Sequence, residues 1–267
     1  MDYNIAFPTL NLYFNINRVA IKLFGHEIYW YGIIIAIAIL VALFVAKKNN
    51  GLYGIKYSKI EDFAFLAIPM AIIFARAYYV IFSWDYYSTH LDEIAKLFNG
   101  GLAIYGGIIG GILSVIIFCK VKDIFIANFM DYLVPSLAIG QVIGRFGNFV
   151  NREAYGTATN LPWRMEIFEE SLGQFISVHP TFLYEALGMF IIFVVTMRMR
   201  KNRKFKGQLT ATYFVLYGIL RLIVEGFRVD SLMFYGFRIS QIVSIFVLIC
   251  GMGIYFYKTR KKRLKIY

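Results

Sequence analysis

Cysteine, histidine and proline are scarce in this chain of 267 residues, with two, three and five copies. Cys119 and Cys250 stand in no CxxC or metal-ligand spacing, which excludes a zinc module and a disulfide framework; they read as packing residues. Three histidines (His26, His90 and His179) leave too little for a metal centre, and none is expected. Charge is sparse as well. Only 16% of residues are charged while 59% are hydrophobic, which excludes a soluble domain and a disordered chain and points to a polytopic membrane protein. The opening 27 residues lack a basic stretch followed by an apolar core, so no cleavable signal peptide is expected.

About 20 apolar residues cross a bilayer as a helix. The hydropathy pattern predicts an all-α integral membrane protein in one polytopic domain. About seven transmembrane helices are expected, near 28–46, 60–82, 101–120, 124–145, 179–197, 208–227 and 237–257. Residues 1–27 do not make an eighth, because Pro8, Asn11, Asn15, Asn17 and Arg18 interrupt them. Basic residues set the orientation. Eighteen of the 28 fall in one set of connections: Lys47, Lys48, Lys56 and Lys59, Lys120 and Lys122, the run Arg198–Lys206, and the tail Lys258–Lys265. Seven lie on the opposite side and three, Arg76, Arg145 and Arg221, within spans. The expected arrangement has the N-terminus outside and the C-terminus cytoplasmic. The net charge of +12 is then topology signal and attraction to anionic headgroups, so the partners expected are membrane lipids and not nucleic acid.

With that topology, intramembrane polar residues gather in the outer half. The first span opens with Tyr29, Trp30 and Tyr31; the second carries Arg76, Tyr78 and Tyr79; the third opens as GGLAIYGGIIGG with Tyr105. The fourth ends at Arg145, the fifth opens with HPTFLYE (His179 to Glu185), and the sixth carries Tyr217, Arg221, Glu225 and Arg228. Several of these have plain structural readings. Tyr29 and Trp30 fit an aromatic belt, the pairs Gly106/Gly110 and Gly107/Gly111 fit helix packing, and His179 before Pro180 fits a helix cap. Arginine is harder to explain that way, since placing one in hydrocarbon costs about 2.5–3.5 kcal/mol on insertion scales. Tyr217, Arg221, Glu225 and Arg228 follow i, i+4, i+8, i+11 and share one helical face. The densest run is GRFGNFVNREAYG, residues 144–156, where Asn148 follows Arg145 by three positions and Asn151 and Glu153 occupy the turn beyond. Residues 146–178 are too long for a simple connection and are expected to form a small extracytoplasmic head.

GRFGNFVNREAYG (144–156), HPTFLYE (179–185) and YGILRLIVEGFR (217–228) together resemble the prolipoprotein diacylglyceryl transferase family, as do GGLAIYGG (100–107) and YWYG (29–32). The match runs through nearly the whole chain in order. The resemblance implies a multi-pass enzyme of the bacterial cytoplasmic (inner) membrane. It would transfer the diacylglyceryl group of phosphatidylglycerol to the lipobox cysteine of prolipoprotein signal peptides and release glycerol-1-phosphate, with no metal or soluble cofactor. The family's essential arginines fall on Arg145 and Arg221, its motif asparagine, glutamate and glycine on Asn148, Glu153 and Gly156, and its span tyrosines on Tyr31 and Tyr217. Many members carry histidine where this chain has Tyr105, so a scheme built on that histidine does not transfer unaltered.

A guanidinium presents a planar fork to two phosphate oxygens, through charge-assisted bonds about twice as strong as neutral ones. The residues expected to hold the lipid are Arg145, Asn148, Tyr31, Arg76, Asn151, Gly156, Tyr217, Glu225 and Arg228. Those expected to act in the reaction are Arg145 and Arg221 as electrostatic catalysts, with Glu153, His179 or Tyr105 as the base. A transporter would need polar groups along a whole path, yet the inner halves are nearly bare, Asp131 being an exception. An intramembrane protease would need a GxS serine or two facing aspartates, and Asp131 and Asp230 fall on opposite sides.

Overall fold

The computed structural model describes residues 3–23, 25–96 and 100–263; Lys265 of the basic tail lies outside them. Four strands come first: β1 (Ile5–Phe7), β2 (Leu12–Phe14), β3 (Val19–Leu23) and β4 (His26–Tyr29). Helices α1 (Trp30–Lys48), α2 (Tyr57–Phe82), the short α3 (Trp84–Tyr87), α4 (Ile104–Val121) and α5 (Ile126–Asn151) follow. A hairpin, β5 (Met165–Glu169) and β6 (Gln174–Val178), precedes α6 (Thr181–Met199) and α7 (Gln208–Glu225). A two-residue ribbon, β7 (Met233–Phe234) and β8 (Phe237–Arg238), leads into α8 (Ile239–Arg263). The protein is thus a mostly helical integral membrane protein. Among the described residues six helices are long and apolar enough to cross a membrane: α1, α2, α4, α5, α6 and α8. α7 matches them in length with 18 residues, but Gln208, Arg221 and Glu225 dilute its apolar character.

The chain divides into two compact units, one holding the residues up to Ala46 and from Asp131 onward, the other Lys47–Met130. In the first unit, Val134 and Ala138 of α5, Met189 and Ile192 of α6, and Leu209 and Tyr213 of α7 form a buried core. Lipid is as apolar as leucine, so helices in it associate through close packing and not through the hydrophobic effect. α7 and α8 approach through glycine: a Cβ on Gly218 would lie 2.9 Å from the Ser244 carbonyl, and one on Gly251 2.9 Å from that of Ala211. Asp131, 1% exposed, fixes the start of α7. Its carboxylate accepts from Arg203 Nη1 (2.8 Å), the Gly207 amide (2.8 Å), and the amide and hydroxyl of Thr210 (2.9 Å each).

The same unit carries a four-stranded antiparallel sheet in the order β2-β1-β5-β6. Ile5 pairs with both Phe14 and Ile167, so alternate residues of β1 and β5 turn inward. Ile5, Met165, Ile167, Val178 and Phe182 form its buried core, joined by Phe149 from the end of α5. The β5–β6 hairpin lies in the 146–178 stretch expected to form a head. The N-terminal segment, expected only not to span the membrane, supplies the other two strands.

In the second unit α2 packs on α4 through the expected small residues. A Cβ on Gly106 would lie 2.8 Å from Ala75 Cα, and one on Gly110 2.6 Å from the Met70 carbonyl. Of the overlapping pairs it is Gly106/Gly110 that makes the seam, since a Cβ on Gly111 would meet nothing within 4 Å. Phe63, Phe118 and Phe129 close the far end, with ring centroids 4.9–5.4 Å apart.

Candidate active site

α5 runs six residues past the predicted end of its span, to Asn151, and this decides the geometry of the GRFGNFVNREAYG run. Arg145 and Asn148 are therefore one turn apart on a continuous helix, and Arg145 Nη1 donates to Asn148 Oδ1 at 3.4 Å. Asn148 Nδ2 in turn donates to Glu153 Oε1 at 2.9 Å. Glu153 sits between Arg152 and Ala154, both left-handed (φ 55° and 57°), so the chain reverses sharply there and brings the carboxylate back over α5. Asn151 is the last residue of the helix.

The centre of the site is Glu185 of α6, whose side chain is 3% exposed. One carboxylate oxygen pairs with Arg145 Nη2 and the other with Arg221 Nη1 at 2.6 Å. Arg228 Nη1 lies 3.7 Å from that second oxygen. Arg221 also lies one helical turn before Glu225, which is buried, with Nη2 2.6 Å from Oε2. That approach is off the hydrogen-bond axis, so the oxygen has ion pairing without an aligned donor. The backbone carbonyl of Glu225 accepts from Arg238. Arg228 forms a bidentate pair with Asp230 at 2.9 and 2.7 Å. Burial works against its charge, but Asp230, with Glu185 and Glu225, outweighs burial and holds its pKa above the ordinary value.

The part-buried guanidiniums of Arg145, Arg221 and Arg228 thus meet the buried carboxylates of Glu185 and Glu225, with the more exposed Asp230 as a further partner of Arg228. Glu185 was visible in HPTFLYE among the polar residues at this level but was not predicted as a site residue. It is the single acid of an apolar helix, and a carboxylate there needs a cation partner; that signal would have found it.

Backbone bonds lock the elements around this cluster. The Gly156 amide donates to the His179 carbonyl (2.9 Å), the His179 amide to the Thr157 carbonyl (3.0 Å), and the Thr157 amide to the Phe227 carbonyl (2.7 Å). Thr181 Oγ1 donates to the Ala154 carbonyl. The segment after α5, the start of α6 and the end of α7 are joined by this junction, which explains the glycine. A Cβ on Gly156 would lie 2.7 Å from His179 Cβ and 3.1 Å from the Phe227 carbonyl. Gly147 serves in the same way on α5, where a Cβ would meet the Tyr31 ring at 2.8 Å. Tyr31 thereby packs on α5 between Arg145 and Asn148.

The remaining residues fall in three places. Tyr217 stacks on Tyr213 (5.4 Å, 5°), whose hydroxyl accepts from Gln141 Nε2 at 2.8 Å, one turn before Arg145. His179 Nδ1 lies 3.2 Å from the Tyr184 hydroxyl, which accepts from Trp163 Nε1 at 2.8 Å. Arg76 and Tyr105 belong to the second unit. Arg76 is 6% exposed and donates four bonds to backbone carbonyls, those of Glu93, Ile94, Gly100 and Gly101, at 2.7–3.1 Å. Its fork is committed to holding the segment between α3 and α4. Tyr105 opens α4 with its ring 6.4 Å from that of Tyr78. Among the described residues, no three His, Cys, Asp or Glu side chains gather as a metal site.

The fold and the site thus define a multi-pass helical membrane protein with an arginine cluster folded around the buried Glu185. Comparison with known proteins narrows the class. The family model described as prolipoprotein diacylglyceryl transferase matches residues 18–257. The chain is 49% identical over 237 residues to the phosphatidylglycerol–prolipoprotein diacylglyceryl transferase of Finegoldia magna, covering 88% of this chain and 93% of that one. Proteins of the same name from Clostridioides difficile (strain 630) and Streptococcus pyogenes serotype M5 are each 42% identical. Those matches cover 94% of this chain and 98% and 99% of theirs. The chain belongs to the prolipoprotein diacylglyceryl transferase family, as its motifs suggested.

Proposed function

We propose that this protein catalyses transfer of the diacylglyceryl group of phosphatidylglycerol to the lipobox cysteine thiol of prolipoproteins, the first step of lipoprotein maturation. The observation that carries the reading is the Arg145–Glu185–Arg221 cluster, in which two guanidiniums share one buried carboxylate, in a chain whose relatives bear that name. A phosphodiester carries a single negative charge, which guanidinium forks bind through charge-assisted hydrogen bonds. In the reaction the cysteine sulfur bonds to the glyceryl carbon that carries the phosphate oxygen. The C–O bond breaks, and the electron pair leaves with glycerol-1-phosphate. Negative charge grows on the departing phosphate, and cations fixed beforehand stabilise it most at that moment.

Glu185 has the positioning role, holding the two arginines so that neither fork must be ordered when the lipid arrives. Asn148 and Tyr31 flank Arg145, while Gly156 and Asn151 shape the turn beside it. Tyr217, Glu225 and Arg228 complete the α7 side. Arg76 contributes by holding the segment between α3 and α4. The thiol has an ordinary pKa of about 8.5, so its ionised fraction must be raised. Among the three base candidates Glu153 is the exposed carboxylate joined to Arg145 through Asn148, and it takes the thiol proton and passes it to water. The Nδ1 of His179 is engaged by Tyr184. The site faces outward from a bacterial cytoplasmic membrane, with the N-terminus outside, about seven spans and the C-terminus in the cytoplasm.

The test is reconstitution of the full chain with phosphatidylglycerol and a lipobox peptide, followed by mass spectrometry of the peptide thiol. The expected result is a diacylglyceryl thioether matched by one released glycerol phosphate. An unmodified thiol, under conditions where the Finegoldia magna protein modifies it, would reject the proposal.

A further inference from the structure

A cationic cavity, built from none of the residues of the Glu185 cluster, lies where the N-terminal strands meet the chain after α5. It measures about 400 Å³ and is lined by Asn4, Asn15, Asn17, Arg18, Arg152 and Glu170, with Ile16 as its apolar member. Its acceptors are largely spoken for. Asn4 Oδ1 accepts from the Ile16 amide (3.0 Å), Asn17 Oδ1 from the Val19 amide (2.9 Å), and Asn15 Oδ1 from Asn4 Nδ2 (3.4 Å). Glu170 Oε1 accepts from Arg152 Nη2 at 2.9 Å.

The donors are in surplus. Arg152 Nε is buried and has no partner among the described residues, although its side chain is only 11% exposed. The exposed Arg18 guanidinium and the amide nitrogens of the exposed Asn15 and Asn17 also have no protein partner among the described residues. Because backbone N–H groups fix the amide orientations of Asn4 and Asn17, this surplus is not an accident of side-chain flips. Two guanidiniums face one carboxylate, so the cavity is also net positive. A buried N–H without an acceptor is unfavourable, and an oxygen-rich anion satisfies it and the excess charge together.

We propose that this cavity is an oxyanion site that takes a phosphate group, supplied either by a soluble phosphomonoester or by a lipid headgroup. The site stands on its own residues; only the choice of glycerol phosphate as one probe rests on the transferase reading. Arg18 is exposed and its side chain makes no contact that holds the fold, so Arg18→Gln tests the site without unfolding the protein.

In the soluble arm, equilibrium dialysis of the full chain in detergent uses labelled inorganic phosphate and labelled glycerol phosphate. In the lipid arm, native mass spectrometry counts phosphatidylglycerol retained from nanodiscs of phosphatidylcholine doped with it. A soluble ligand predicts a saturable class of binding that weakens at least tenfold in Arg18→Gln and Arg152→Gln. A headgroup predicts one fewer retained phosphatidylglycerol in the same two variants. Absence of saturable binding in both arms, or equal binding by wild type and Arg18→Gln, overturns the proposal. Peptide transfer measured on the same samples keeps the two readings apart, because binding that persists without transfer sinks only the transferase assignment.

Discussion

Glu185→Gln isolates the element on which the site depends. The substitution keeps the shape of the side chain and removes the charge shared by Arg145 and Arg221, with Arg228 at 3.7 Å. Gln also turns one of the two acceptor oxygens into an N–H donor, which must face a guanidinium. Removing one partner of a buried ion pair costs about 3–5 kcal/mol, largely because the other charge is left uncompensated. Arg145 is 21% exposed and can recover part of its hydration, so the lower end, about 3 kcal/mol, is the appropriate figure here. Two losses are expected. Thermal unfolding of the full chain in detergent shifts down by several degrees. Transfer falls about 10²-fold if the whole penalty is felt in the transition state, each 1.36 kcal/mol being tenfold in rate. Glu185→Asp, which retains the charge on a shorter arm, should recover part of the rate. The discriminating assay is turnover of a lipobox peptide at saturating phosphatidylglycerol, set beside the unfolding midpoint. A Glu185→Gln protein with wild-type turnover and midpoint would refute the view that this carboxylate positions the arginines.

Three further substitutions probe separate parts. Arg145→Lys keeps the charge but loses the fork, and turnover should fall about 10- to 100-fold while the protein remains inserted, as read by peptide transfer on membrane fractions; an unchanged rate would show that a point charge suffices. Gly156→Val places a side chain against His179 and the Phe227 carbonyl, so it should destabilise the fold by about 1–3 kcal/mol, read from the unfolding midpoint in detergent; an unchanged midpoint would contradict the junction described. Arg76→Ala removes four bonds to carbonyls, so protease cleavage within residues 83–103 should accelerate at least tenfold, with peptide mapping as the readout.

What the sequence disclosed and what it withheld follow from the range of the interactions involved. Apolar runs and basic clusters are local and composition-driven, so the helices that became α1, α2, α4, α5, α6 and α8 were legible from hydropathy. The pairing of Arg145 with Asn148 needed only the continuation of one helix. The strands at the N-terminus were not legible. β1 and β2 have three residues each, too few for an alternation to register, and β1 gains its second neighbour from β5, about 160 positions away. Arg76 shows the limit of reading an intramembrane arginine as a ligand-binding group by default. Its partners are carbonyls of an irregular segment, which carry no side-chain signature. Glu185 was written plainly as an acid in an apolar helix, yet its role emerges only when α5, α6 and α7 bring three arginines to it.

The proposed catalysis rests on Arg145 and Arg221 gripping the phosphate that leaves. Its most direct test is an experimental structure of the full chain with phosphatidylglycerol bound in the absence of peptide. The expected result places headgroup phosphate oxygens about 2.7–2.9 Å from guanidinium nitrogens of both residues, with Glu185 still between them. A phosphate far from both arginines would contradict it.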